Sequence, residues 1–507
     1  MSRSWFTFLA WIVVVAGGSV LRLADLEERP LHFDEATNAR MLADRLEGED
    51  YVFDPEHFHG PWLSLSAIPI ARASGEEGWK DLTATTIRLG PVVAGVLTIL
   101  TPLLWLRIIG SGPALLAGAL LATSPLLIYY NRMFIHESWL VLFGMLTAAA
   151  VYRLALRPNW LNGLVTGVCV GLMFSTKVTF AISLLSFGAG VVFLLIFLKG
   201  FSSQGGQVST IWEYFRALLL VAVTSIIVGA VFYTEFFSRP EGLTDAFKSF
   251  FVYETVPGHQ KPVSFYFDLL LRPKELVGSW WTEAFVFLLA VIGFLAGISS
   301  RESRGFTGFL GIAVVIHFAI YSLIGYKTTW LLLLPWSLTC LLAGAAVYRM
   351  RFERFGFGAF VVALIVLGLS FQVQQSVQAT GRLANDARNP YAYVPTNRDV
   401  ERVSSWIEKL RSIHVNSLDD PIAVVGQEYW PLPWYLRDVG PVGYWPEGSP
   451  ELEQLPVVIV MPDHFEEVRK MLDESHIEVP RSLRNNVPIL LFIRSDLWDA
   501  WMKESDS

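Results

Sequence analysis

The sequence predicts a helical multi-pass membrane protein with a small α/β domain at its C-terminal end. Three observations predict this. Of 507 residues, 53% are hydrophobic and only 17% are charged, against about 25% in a soluble domain. The apolar residues gather in runs long enough to cross a bilayer. Aromatics reach 14%, with 18 Trp, as where rings sit at membrane–water boundaries. A soluble globular enzyme and a disordered chain are thereby excluded. Cys169 and Cys340 both lie in apolar runs, which excludes a disulfide framework and a cysteine-based zinc site. The net charge of −7 argues against a nucleic-acid partner.

A crossing helix needs roughly 20 apolar residues. Such runs fall at about 5–22, 88–106, 112–130, 137–154, 159–176, 178–198, 214–233, 284–300, 306–324, 329–348 and 356–374, which makes about 11 spans. The first run, with Arg3 before it and Ala16-Gly17-Gly18-Ser19 inside it, also resembles a signal peptide. A cut there would leave the following loop untethered, so it is read as a span. Pro61–Ala71 is too short to cross and ends at Arg72, so it is read as an interfacial helix.

Charge placement sets the expected orientation. With the N-terminus in the cytoplasm, the inner loops carry Arg3, Arg107, Arg153, Arg157, Lys199, Arg216, Arg301, Arg304, Arg349, Arg351 and Arg354, against Glu213, Glu302 and Glu353. Two acidic segments then fall outside. Residues 25–61 hold 11 acids and 3 bases, and residues 375–507 hold 21 and 13. The expected domains are 1–374, spanning the membrane with outer loops at about 23–87 and 234–283, and an extracytoplasmic α/β domain at 375–507. In that tail Pro421–Gly426, Val457–Met461 and Val487–Arg494 read as strands, and Arg398–Ile413 and Asp463–Ser475 as helices.

Ionisable groups punctuate the short outer loops: Asp34 and Glu35, Arg88, Arg132, His136 and Glu137, Lys177, and Lys327. Charges at a bilayer edge are costly and tend to face a cavity and one another. Carboxylates and cations from distant loops are therefore expected to share one pocket, suited to a negatively charged, membrane-embedded substrate. Several have a plainer reading. Arg88 and Lys177 can snorkel to the headgroups. Asp34 and Glu35 open the pattern Ala36, Ala39, Leu42, Ala43, Leu46 and suit a helix cap. Glu137 suits the start of a span. His32, His57, His59 and His136 are a further option, as zinc ligands, although their spacing is not diagnostic. The aromatic segment Tyr429–Arg437 either packs the tail onto the outer loops or forms a sugar surface.

His32-Phe33-Asp34-Glu35-Ala36 after the first span resembles the acidic motif of the GT-C superfamily of membrane glycosyltransferases. His59-Gly60-Pro61-Trp62, Arg88-Leu89-Gly90-Pro91 and Arg132 to Glu137 follow in the order found in protein O-mannosyltransferases and the lipid A aminoarabinose transferase, over roughly residues 1–200. Tyr326-Lys327-Thr328-Thr329-Trp330 and Tyr429–Arg437 are similar to a narrower branch, flippase-activity-associated and mannosyltransferase-like. Lys177-Val178-Thr179 departs from the Lys-Gly-Pro of many relatives, which leaves the role of Lys177 open.

The resemblance implies transfer of a hexose such as mannose from a polyprenyl-phosphate donor to a protein, lipid or glycan hydroxyl, on the outer face of the cytoplasmic membrane. In such a site Asp34 is the expected general base, with Glu35 as its substitute. Lys327, Arg132 and Lys177 would stabilise the leaving phosphate, with Arg88 also expected to bind substrate. His59 would hydrogen-bond a loop or a substrate hydroxyl. Glu137 would hold hydroxyls, orient an arginine, or share a divalent metal with Asp34. The competing readings are an accessory or flippase-associated protein for lipid-linked sugars, and a binding protein without turnover. The absence of an internal repeat and the position of the charges at one edge favour the enzyme.

Overall fold

The computed structural model describes residues 3–49, 54, 59–199, 210–252, 260–348, 355–413, 420–448 and 451–505. Arg349, Arg351, Glu353, Arg354 and His57 lie outside them, as do the side chains of Arg3 and Lys199. The chain forms two compact units. The larger comprises Met1–Leu26, Asp50–Ile70 and Thr85–Gly381, and the smaller comprises Glu27–Glu49, Ala71–Ala84 and Arg382–Ser507. The division differs from the expected one. Position 374 falls inside the last apolar helix, Phe355–Thr380, and two pieces of the first loop belong with the tail.

In the larger unit, helices occupy every predicted span. Among the described residues, seven are long and apolar enough to cross a membrane alone: Trp5–Leu23, Ala84–Ile109, Glu137–Leu156, Ile211–Tyr233, Arg304–Leu323, Thr329–Val347 and Gly356–Thr380. An eighth, the third span, is broken into Ser111–Thr123 and Pro125–Asn131, bent by 57°. Pro125 accounts for the break, because its ring displaces the carbonyl four residues earlier and it has no N–H to donate. Three shorter apolar helices, Trp160–Phe174, Phe180–Ile196 and Ala284–Ile298, fill the remaining predicted positions.

Spans five and seven pack through a stripe that the span count did not reveal. Gly163, Gly167 and Gly171 recur every four residues along Trp160–Phe174. A Cβ on them would come within 3.0 Å of Ala217 O, 2.6 Å of Thr224 Cβ and 2.6 Å of Val228 Cβ, all on Ile211–Tyr233. In lipid, where apolar surface gains little from burial against a neighbour, such close backbone approach is a main source of helix association. Ser225 Oγ adds a hydrogen bond to Gly167 O at 3.1 Å. Pro61–Ala71, expected as a short interfacial helix, is helical over Trp62–Ala73, 12 residues, too few to cross.

The smaller unit is built on a five-stranded mixed sheet. Its strands follow β1 (Lys274–Leu276) and β2 (Ser279–Trp281), a hairpin in the larger unit. They are β3 (Ile422–Val425), β4 (Val442–Trp445), β5 (Val457–Val460), β6 (His476–Arg484) and β7 (Val487–Arg494), in the order β4-β3-β5-β7-β6. Pairs β3/β4 and β3/β5 are parallel, while β5/β7 and β6/β7 are antiparallel. Every residue of β3 and β5 is buried, as expected of central strands covered on both faces. Ile422 and Val424 pack with Val403 and Ile407 of helix Asp399–Ile413. Ala423 and Val425 pack on the opposite side with Val468 and Leu472 of helix Phe465–Leu472.

The three predicted strands and both predicted tail helices are present. The edge strands β4 and β6 and the helix Ser495–Ser505 were not evident in the sequence. β6 carries Pro480 and polar residues, which an edge tolerates because one side of its backbone needs no ladder partner. Helix Phe33–Leu46 buries the predicted stripe Ala36, Ala39, Leu42 and Ala43.

Candidate functional site

In the smaller unit the adjacent acids Asp34 and Glu35 have separate fates. His32 caps helix Phe33–Leu46, its Nδ1 accepting from Asp34 N at 3.2 Å. Glu35 reaches back, its Oε2 accepting from His32 N at 3.0 Å and from Arg29 Nη2 at 3.3 Å, with its side chain fully buried. Glu35 is thus the third-position acid of a capping box, and the plainer sequence reading holds for it. The Asp34 side chain is 37% exposed. Its backbone N–H makes the capping bond, so the carboxylate is not the capping group.

Because Nδ1 accepts, the His32 proton sits on Nε2, which donates to Tyr393 O at 3.0 Å. Burial holds the His32 pKa down at about 3, with Arg29 and Arg484 assisting against the pull of Glu35. The ring is therefore neutral at physiological pH, and its 3.6 Å approach to Asp34 Oδ2 is no ion pair. Unfolding returns the ring to its ordinary value near 6.5. The unfolded form then binds more protons between pH 6.5 and about 3, so stability rises with pH across that window and is complete above it. Lowering the pH from about 7 to about 5 should weaken the attachment of residues 27–49 by about 2 kcal/mol. Hydrogen exchange in that segment, corrected for intrinsic rates, measures it. Equal protection at both values would refute it.

The segment is tied to the tail within the same unit. Leu31 N donates to Tyr435 Oη at 2.8 Å, and Thr396 Oγ1 donates to Leu31 O at 2.7 Å. Trp79 meets Trp434 edge to face at 5.5 Å, and Arg437 lies 3.8 Å over the Trp434 ring. The aromatic segment Tyr429–Arg437 accordingly serves the packing reading, fastening the tail to pieces of the first loop.

In the larger unit, Lys177 Nζ donates to Glu137 Oε1 at 2.5 Å, and both side chains are 6% exposed. Neither Lys177 nor Arg88 snorkels: Arg88 is fully buried and donates to Leu26 O at 2.6 Å. Lys327, 1% exposed, donates to Lys261 O at 3.0 Å and Ile324 O at 2.5 Å. An ammonium has three donors, so these two bonds use all but one. Arg132 gives its Nη atoms to backbone carbonyls at the end of span one, including Asp25 O at 2.9 Å.

His59 and His136 meet edge to face at 5.2 Å, and His136 Nε2 lies 3.1 Å from Gly60 O. Gly60 is part of a sequence motif, yet its own role shows only in the packing. A Cβ there would lie 2.2 Å from Ser175 O, and Trp62 N donates to that same carbonyl at 3.0 Å. Only glycine lets the His59 segment run this close to the turn that carries Lys177.

Three distant loops therefore meet. Glu137, Thr179, Tyr321 and Trp330 line one cavity of about 10 Å³, room for about one water. Glu137 and Trp330 both belong to motifs visible in the sequence, but Tyr321 sits in an apolar run with nothing to mark it.

The described histidines do not assemble a metal site. Both ring nitrogens of His32 are engaged. Among the described residues three ligand atoms come together only at Asp44, Glu47 and Glu49, and Arg40 already bridges that group, at 2.7 Å from Asp44.

Residues 80–229 match the family model of dolichyl-phosphate-mannose–protein mannosyltransferases. No curated protein sequence matches the chain. Solved structures are similar over nearly its whole length. ArnT from Cupriavidus metallidurans bound to undecaprenyl phosphate aligns with a TM-score of 0.65 at 14% identity, covering 98% of this chain and 99% of that one. Its apo state gives 0.64 at 15%, covering 96% and 99%. The archaeal oligosaccharyltransferase AglB from Archaeoglobus fulgidus, in complex with an inhibitory peptide and a dolichol-phosphate, gives 0.52 at 13%, covering 98% and 77%. The chain has the fold of GT-C membrane glycosyltransferases, as its motif order suggested.

Proposed function

We propose that this multi-pass membrane protein transfers a sugar from a polyprenyl-phosphate donor to an acceptor hydroxyl. The site would lie on the outer face of the cytoplasmic membrane, with the N-terminus in the cytoplasm. The observation that carries the reading is the convergence of the loops bearing Glu137, Lys177 and Trp330 on one buried, charged locus in a membrane fold. Charges of this kind are kept inside a membrane protein where a charged substrate must be met. The fold-mates solved in complex with undecaprenyl phosphate and with a dolichol-phosphate support the donor class.

In the reaction the acceptor oxygen attacks the anomeric carbon as the bond from that carbon to the phosphate oxygen breaks. The electron pair leaves with the polyprenyl phosphate. Asp34, the acid not consumed by capping, takes the acceptor proton. Lys327 has a donor to offer the phosphate as charge grows on it, and Arg132 and Arg88 bring further positive charge. Lys177 orients Glu137, whose second oxygen accepts from sugar or acceptor hydroxyls. Glu137 is paired with Lys177 rather than offered to a metal. A hexose is the sugar we assign, on the likeness of residues 80–229 to the mannosyltransferase model.

Mass spectrometry of glycans and lipids from a strain lacking the gene tests the reading. The expected result is loss of one sugar from an envelope glycan, lipid or protein together with accumulation of its polyprenyl-phosphate form. Unchanged acceptors with a donor trapped on the cytoplasmic face would point instead to a flippase-associated role.

A further inference from the structure

Arg22 lies near the end of span one and is 1% exposed. A guanidinium at that depth is costly unless its donors are met, and here four of its five N–H groups are. Nη1 donates to Gly18 O at 2.9 Å and Ala122 O at 3.1 Å, and Nη2 donates to Leu121 O at 3.0 Å. Leu121 O is the carbonyl that Pro125 deprives of a partner. From the last span, Ser376 Oγ donates to Thr123 O at 2.8 Å, so three successive carbonyls at the break are capped by side chains. The bend is held from two sides.

The remaining bond reaches past the bend. Arg22 Nε donates to Asn131 Oδ1 at 2.9 Å, and Asn131 Nδ2 donates to Ser138 Oγ at 2.9 Å. Asn131 and Ser138 flank the turn 132–137, so this contact closes the turn at its base. Asn131 is fixed from below as well, since a Cβ on Gly95 would lie 2.4 Å from its Oδ1. Arg132 completes the exchange by giving its Nη atoms to Leu21 O, Arg22 O, Ala24 O and Asp25 O. Each arginine thus satisfies carbonyls of the other's segment, and the turn carrying Arg132 and Glu137 hangs from this clasp.

We propose that Arg22 is a positioning residue: through Asn131 and Ser138 it sets where Arg132 and Glu137 stand. The inference rests on the glycosyltransferase reading. A residue that only steadied the bend would need the bonds to Leu121 O and Ala122 O and not the one to Asn131.

The test uses the full-length protein in detergent with undecaprenyl phosphate and undecaprenol as probes. In Arg22→Met, amide exchange across 129–138 should rise and affinity for undecaprenyl phosphate should fall about tenfold, with undecaprenol little changed. Ser138→Ala leaves the bend capped and should give the same phosphate-selective loss, about threefold. Arg22→Lys keeps the charge without the fork and should rescue binding only in part. Equal loss of both lipids in Arg22→Met, or wild-type binding in Ser138→Ala, would overturn the positioning role. If Arg22→Met does not fold, Ser138→Ala and Arg22→Lys decide. Wild-type protein that binds the two lipids alike would overturn the donor reading instead, and exchange across 129–138 would then judge the clasp alone.

Discussion

Asp34→Asn should lower transfer by about 10³-fold while the protein stays folded. A positioned general base contributes roughly 10²–10⁴, and asparagine keeps the size of the side chain while losing its ability to take a proton. The fold should tolerate the change, because the bond from residue 34 to His32 comes from its backbone N–H. Glu35→Gln should behave in the opposite manner. It leaves Arg29 facing a neutral amide in a buried setting and should cost roughly 2–3 kcal/mol of stability in the smaller unit. Turnover by the purified protein, read beside thermal unfolding, separates the two. Transfer near the wild-type rate in Asp34→Asn would remove it as the base.

Lys177→Met should be the most destabilising single change at the site. It strands the Glu137 carboxylate, 6% exposed, beside a cavity of about 10 Å³. Removing one partner of a buried pair costs about 3–5 kcal/mol, whereas replacing both is often close to neutral. The double change Glu137→Gln, Lys177→Met should therefore recover most of the stability and none of the transfer. Thermal unfolding of the two single variants and the double, in one detergent, gives the coupling between the residues. A Lys177→Met protein as stable as the wild type would mean that the pair holds nothing together.

The membrane fold was legible because its signal is long. Apolar runs near 20 residues are rare outside membrane spans, and each predicted run is helical. The tail was half legible. β3, β5 and β7 are continuous apolar runs. β4 is short and begins Val442-Gly443 at a sheet edge, and β6 is interrupted by Pro480, so neither shows a run or a clean alternation. At the site, residue types were readable but partners were not. Nothing local in Lys177-Val178-Thr179 says that its cation will meet Glu137, 40 residues earlier. Arg22 was hidden for a related reason: at the end of a span an arginine looks like an ordinary boundary marker, and only packing shows that it points inward. The Asp34-Glu35 pair could not be divided by sequence either, since both acids suit a helix start. The division came from which one turns back to its own cap.

The joining of Glu27–Glu49 and Ala71–Ala84 with Arg382–Ser507 in one unit bears on how such proteins can be recombined. A graft that exchanges only the stretch after the last span would sever Leu31 from Tyr435 and Trp79 from Trp434. A workable chimera must carry all three stretches as one cassette. Inheritance should follow the same rule, with substitutions in the early loop matched by changes some 400 residues downstream.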